Sequence, residues 1–427
     1  MKAFLIALMA FASAPALAQT TAITGGKVVI GDGSAPIDGG TVVFSGGRII
    51  AAGRGVAVPA GATIIDAKGK WVTPGIVAGF SRLGLAGVDA VDESNDTSAN
   101  KSMFNAALDV APAVNPNVAA IAINRAAGVT RAVVSPETGD AIFAGLGAII
   151  DTGSDVSPIT NAKAFQFVEF GETGARRAGG ARTALFVNFR TALAEASDAA
   201  RGVYRSEALL KRSDAQALIP ITNGQMRLLI HVESAADIIA VLELKRDYPL
   251  LNLVLVGVTE GWRVASQIAA AKVPVIASAV NDLPASFEQI AATQSNVGRM
   301  KAAGVTLAIG MIDDDDTRQA MHGAQYAGNL VALNKVPGAT GLSWNDAFAA
   351  ITSKPAEVMG MGADIGSLRA GRRSDVVIWD GDPLEVTSAV EKVWIDGVAQ
   401  SLTTRQTRLR ARYATPQEGA LPKAFDR

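Results

Sequence analysis

The 427-residue chain contains no cysteine, which excludes disulfides, thiolate nucleophiles and cysteine-ligated metals. It contains only two histidines, His231 and His322, so no metal site can be assembled from three or four imidazoles. A formal net charge of -1 gives no reason to expect nucleic acid or a charged membrane as partner. Beyond the N-terminus there is no uninterrupted apolar run of spanning length, so no membrane span is expected in the mature chain. Neither a Gly-x-Ser-x-Gly elbow nor a glycine-rich phosphate loop after a first strand is present. A chain this long buries enough apolar surface to fold without disulfides.

The N-terminus reads MKAFLIALMAFASAPALAQ. Lys2 supplies the positive start, Ala3 to Phe11 the apolar core, and Ala16-Leu17-Ala18 a small-x-small cleavage site. Residues 1–18 therefore read as a secretory signal peptide, leaving Gln19 as the mature start and the periplasm or the exterior as the destination.

Two β-rich segments flank a long middle. Residues 19–72 alternate Val, Ile and Phe with polar residues and are broken by glycine pairs. Residues 363–402 share that texture in "SDVVIWD" and "EKVWIDG". Together they suggest one small β-sandwich assembled from both ends of the chain. Residues 73–362 place short apolar runs ("RLLIHV", "NLVLVGV", "VPVIAS", "VTLAIG") between amphipathic stretches such as "SAADIIAVLELKRDY". That pattern belongs to a parallel sheet buried on both faces, and its length suits a (β/α)8 TIM-like barrel; an open doubly wound sheet is the alternative. Residues 403–427 form a tail with an Arg-rich start.

Three stretches carry a family resemblance. "GKWVTPGIV" resembles the entry into the first barrel strand of the amidohydrolase superfamily, in its imidazolonepropionase-like and dihydroorotase-like branches. "TSKPAEVMGMGADIGSLRAGRRSDVVIWDGDP" is similar to that family's C-terminal signature, with Pro355, Ala356, Gly360, Gly366, Ser367, Gly371 and Asp375 in step. "LLIHVESAADI" resembles its fifth strand. The resemblance implies hydrolysis of amide or other C–N bonds at the C-terminal mouth of the barrel by one or two divalent metals, which activate water and polarise the carbonyl. It also implies ligands: a strand-one His-x-His, in some members a carboxylated strand-four lysine, histidines on strands five and six, and an aspartate on strand eight.

Carried over residue by residue, most of that set is missing. The His-x-His positions hold Phe80 and Arg82, the acidic position before them is Ala78, and strand six has no histidine near Gly257. Strand five retains His231. Strand eight places Ile312 at the aspartate position and Asp313 one residue later. Lys163 is a nearby candidate for strand four.

His231 and Glu233 point to the same side of an extended strand, so they can grip a metal or shuttle a proton; the plainer reading is a hydrogen-bonded polar pair in the barrel mouth. Asp313 borders a catalytic position and is the candidate general base, also grouped with His231 and Glu233 as a metal ligand. The run Asp313–Asp316 reads either as a hard-cation site or as a solvated loop. Arg82 is the candidate substrate-binding residue, replacing a metal's charge toward a carboxylate or oxyanion; the alternative is an arginine turned to solvent. His322 falls on a helix after strand eight and reads as surface or packing.

Two functions are compatible with these residues. One is an exported hydrolase of non-peptide C–N bonds, cyclic ones among them, with a single Zn or Mn ion or with none. The other is a catalytically inactive relative that binds a small molecule or a protein in the old barrel mouth. A small-molecule ligand is expected in both, and a homo-oligomer is left open.

Overall fold

The computed structural model describes residues 19–88, 91–312 and 318–415. Residues 1–18, read above as a signal peptide, the aspartate run that includes Asp313, and the end of the tail lie outside the described residues.

One eight-stranded sheet draws on both ends of the chain. From the N-terminal side come β1 (Thr21–Val28), β2 (Ile37–Ser45), β3 (Arg48–Gly53), β4 (Thr63–Asp66) and β5 (Trp71–Pro74). From the C-terminal side come β14 (Val376–Trp379), β15 (Val390–Ile395) and β16 (Val398–Ala399). The order is β16-β15-β14-β5-β1-β2-β3, with β4 pairing beside β1. Because alternate residues face one way along a strand, Ile23, Val42, Phe44, Val72, Val376, Ile378 and Trp394 share one apolar core. The antiparallel pairing of β14 on β5 joins the two ends.

The second sheet is the barrel: β6 (Ile76–Ser81), β7 (Val129–Val134), β8 (Phe143–Asp151), β9 (Ile159–Glu169), β10 (Arg227–Val232), β11 (Asn252–Gly257), β12 (Val275–Ala277) and β13 (Leu307–Ile309). They neighbour one another in chain order. The two ends meet where the Met311 amide donates to the Phe80 carbonyl at 2.9 Å. Gly79 permits this meeting, since a Cβ there would collide with the Ile309 carbonyl. The expected alternation of strand and helix breaks in one place. β8 runs antiparallel to both β7 and β9, and no helix intervenes between Val129 and Glu169. Hairpin-like returns need no crossover helix, so the amphipathic signal is absent there for a structural reason.

The barrel interior is packed by Val77, Phe80, Val133, Ile149, Phe165, Phe167, Leu229, Val254, Val256, Ile276 and Ala308. Val77 and Phe80 both face inward although three residues apart, because the β6–β7 register shifts between Ala78 and Ser81; one extra residue resets the side-chain alternation. Ala356, Val358, Met359 and Ile365 belong to the same cluster and stop the lower end, where Arg227 Nε, at the start of β10, donates to the Val358 carbonyl at 2.6 Å. Outside the strands, Leu185, Phe189 and Leu193 of one helix and Ile238, Val241 and Leu244 of another pack onto the sheet. The second, Ala235–Asp247, starts where the Ser234 hydroxyl accepts from the Asp237 amide at 3.1 Å, a side-chain cap directly after the His231 strand.

The lower end also holds a buried charge cluster. Arg131 is fully buried and donates from Nε and Nη2 to the two Asp375 oxygens at 2.7 and 2.9 Å. It pairs with Asp396 at 2.9 Å and donates to the Thr160 hydroxyl at 2.7 Å. Asp151 lies 3.7 Å away; burial pushes its carboxyl up to about 6, with Arg131 pulling the other way. Since Asp375 and Asp396 flank strands of the first sheet, this cluster fastens the barrel to it. No helix of the described residues is long and apolar enough to cross a membrane.

Candidate active site at the barrel mouth

The upper, C-terminal ends of the strands converge on a cavity of about 330 Å³, whose lining includes Phe80, Arg82, Glu137, Thr138, Phe167, Glu169, Arg176, Arg177, His231, Glu233, Glu288 and Ile312. Loops at this end are where a barrel of this kind does its chemistry.

At its floor a histidine is held between two carboxylates. His231 Nδ1 lies 2.7 Å from Glu169 Oε2 and Nε2 lies 2.9 Å from Glu233 Oε1. Both contacts follow from register. Glu169 ends β9 directly beside His231 on β10, and Glu233 follows two residues on, on the same side. Burial opposes the charged ring, but the Glu169 and Glu233 carboxylates outweigh it and raise the His231 pKa well above its usual value. At neutral pH it is an imidazolium donating to both neighbours. Burial works against the Glu233 carboxylate too, yet His231 and the Thr259 amide hold its pKa below the usual value.

Thr259 reaches Glu233 through backbone strain. Its amide donates to Glu233 Oε2 at 2.7 Å, and the residue before it, Val258, has φ +60°. A β-branched residue in the left-handed region is unfavourable, and such strain collects at functional sites.

Glu288 completes the polar wall. It accepts from the Glu172 amide at 2.7 Å, and burial raises the pKa of its carboxyl. Arg82 is buried among the lining residues. Phe80, at the other His-x-His position, stacks at an angle on Phe167 with ring centroids 5.4 Å apart.

A model of the amidohydrolase family matches residues 257–399. Amidohydrolase tasK of Hapsidospora irregularis is 25% identical over 392 residues, which is 80% of this chain and 38% of that protein. The imidazolonepropionase of Chromobacterium violaceum is 31% identical over 110 residues, 25% of each chain. An amidohydrolase from Thermotoga maritima superposes with a TM-score of 0.78 at 22% identity, over 89% of this chain and 99% of that one. The chain belongs to the amidohydrolase superfamily. It spans well under half the length of the curated relatives it matches.

At the positions that the family resemblance assigns to metal ligands on strands one and six, the described residues are Phe80, Arg82 and Gly257. Phe80 and Arg82 offer no ligand at the strand-one positions. At strand six, a Cβ on Gly257 would collide with Glu233 Oε1 and crowd the His231 ring, so Glu233 fills the space a histidine would need. Both nitrogens of His231 are taken by carboxylates. No group of three or more His, Asp or Glu side chains of the described residues is placed to hold a metal ion.

His231, Glu233, Arg82 and Phe80 are brought together at this mouth. Asp313 lies outside the described residues, one position beyond Ile312 of the cavity lining. His322 opens the helix His322–Ala332, with its ring 6.1 Å from that of Tyr326. It lines a separate cavity with Trp379 and Leu384. Lys163 is not in the mouth: it is exposed at the lower part of β9, 3.9 Å from Asp109. The strand-four side chain that arrives is Glu169. The signal for it is "FQFVEF", in which Phe165, Phe167 and Glu169 share one face of the strand.

Proposed function

We propose that this superfamily member is an exported hydrolase of non-peptide C–N bonds, cyclic amides among them, working without a metal. The observation that carries the reading is the Glu169–His231–Glu233 chain at the upper ends of β9 and β10, facing the same cavity as Arg82. Both Glu233 oxygens are engaged, one by His231 and one by the Thr259 amide. Glu169 commits only Oε2 among the described residues, which leaves Oε1 for a water.

In this reading Glu169 is the general base. It takes a proton from water as the water oxygen attacks the amide carbon. Arg82 supports the negative charge that develops on the carbonyl oxygen. Glu169 then returns the proton to the leaving nitrogen as the C–N bond breaks, so the carboxylate is regenerated. His231, with both nitrogens occupied, is a positioning residue: it holds the two carboxylates side by side and offsets their repulsion. The bond class is supported by the similar proteins, which include an amidohydrolase and an imidazolonepropionase.

The deciding experiment is turnover of a panel of lactams, cyclic imides and cyclic ureides by protein starting at Gln19, with and without chelator. Glu169→Gln should lower kcat by about 10²–10⁴-fold, and chelator should leave the wild-type rate unchanged. A rate that disappears with chelator and returns with Zn²⁺ or Mn²⁺ would overturn the metal-free reading. A protein that binds these compounds without hydrolysing them would be a binding protein instead. Export rests on residues 1–18 alone.

A further inference from the structure

We propose that the natural substrate carries a carboxylate, received by Arg176 and Arg177 at the rim while its amide faces Glu169; this rests on the hydrolase reading above. Both arginines end the helix Gly171–Arg177 and line the cavity that contains Glu169 and His231.

Their position follows from two glycines. A Cβ at Gly174 would collide with the Glu169 carbonyl, and one at Gly171, where φ is +61°, would collide with Glu288 Oε2. Lacking side chains, these residues let the helix press onto the end of β9, and so hold its C-terminal arginines over the mouth.

The charges at the rim are weakly engaged. Arg176 donates from Nη2 to the neutral Thr173 hydroxyl at 2.9 Å, and no carboxylate among the described residues lies within ion-pair distance of it. Arg177 reaches Asp140 at 3.5 Å. Asp140 is mostly exposed, and a pair in water contributes little. Of the other lining carboxylates, Glu169 and Glu233 hold His231, Glu288 accepts from the Glu172 amide and Glu137 accepts from the Thr97 hydroxyl at 3.4 Å. Two guanidiniums at the rim of a concave site, with the other lining acids already engaged, match an anionic group on the ligand. A planar fork of N–H donors suits a carboxylate in particular.

The test is calorimetric binding, which does not depend on turnover. Matched pairs are titrated at 50 mM and 500 mM NaCl: hydantoin with 5-carboxymethylhydantoin, and 2-pyrrolidinone with 5-oxoproline. We expect at least one acid to bind 10-fold or more tightly than its neutral partner. That preference should shrink at high salt and fall to within about 3-fold in the Arg176→Gln/Arg177→Gln variant. Both positions are exposed, so the variant should retain the wild-type melting temperature. Equal affinity within each pair, an acid preference that survives in the double variant, or no binding by any compound would overturn the inference. An acid preference without turnover would leave the inference standing and count against the hydrolase reading. Turnover of neutral amides with no acid preference would do the reverse.

Discussion

Arg131, at the lower end of the barrel, and His231, at its mouth, are both cations gripped by carboxylates. The resemblance ends at what surrounds them. Arg131 has a permanent charge, no exposed surface, and partners supplied by the other sheet, Asp375 and Asp396. His231 keeps 21% of its side chain exposed, takes partners from its own and the adjoining strand, and faces a cavity. Its charge depends on pH. The lower cation is closed off from solvent, whereas the upper one opens on a cavity. Similar chemistry at two ends of one barrel thus serves assembly at one and, in the proposed hydrolase reading, reaction at the other.

The sharpest way to break this comparison is at Arg131. Arg131→Met leaves Asp375 buried without its cation, while the half-buried Asp396 keeps Arg373 at 3.0 Å, and losing one side of a buried ion pair costs about 3–5 kcal/mol. Denaturant unfolding should show a loss of that size, read from the midpoint at unchanged slope. A loss below about 1 kcal/mol would mean that the two sheets are held mainly by their apolar contact.

His231→Gln should show a smaller stability loss, about 2 kcal/mol for hydrogen bonds to charged partners, together with a large fall in turnover. The pH dependence separates it from Arg131. The folded pKa of His231 is raised above 6.5, so its contribution is complete below pH 6.5 and fades as pH climbs through the folded value. Glu233 is shifted below 4.5, so its share is present above pH 4.5 and fades as pH falls through its own folded value. The gap between wild type and variant should therefore be widest between pH 4.5 and 6.5 and narrow on both sides. A His231→Gln gap that stays constant up to pH 10 would show that this ring does not titrate as a cation between carboxylates.

The two ends differed equally in how far the sequence revealed them. The lower end was legible because its residues occur close together: the 353–384 stretch contains the plug residues Ala356 and Val358 and also Asp375. What could not be read was the partner of Asp375, since Arg131 lies 244 positions away in a strand with no distinctive spacing. At the mouth, His231 and Glu233 were visible because they lie two residues apart at the end of one strand. Glu169 was not, since its strand belongs to the part of the barrel where β8 runs backward and the strand-helix rhythm stops. Gly257 marked a missing histidine in the sequence, but only packing reveals that Glu233 occupies the vacated space.

The smallest effect tests whether β9 serves the mouth through its upper end alone. Lys163 lies within the β8–β9 irregularity, where Gly147 pairs with Phe165 and Ile149 with Asn161. There the backbone adopts φ +51°, a conformation that favours glycine over any residue with a Cβ. Its ion pair with Asp109, at 3.9 Å and with the lysine side chain exposed, adds little. Lys163→Gly should therefore be neutral or gain up to about 0.5 kcal/mol, as strain relief offsets the greater freedom of an unfolded glycine. Turnover should stay within 2-fold of wild type, whereas Glu169→Gln, six residues along the same strand, should nearly abolish it. A Lys163→Gly protein that folds normally but loses activity would return the strand-four lysine to the site and remove Glu169 from its proposed place.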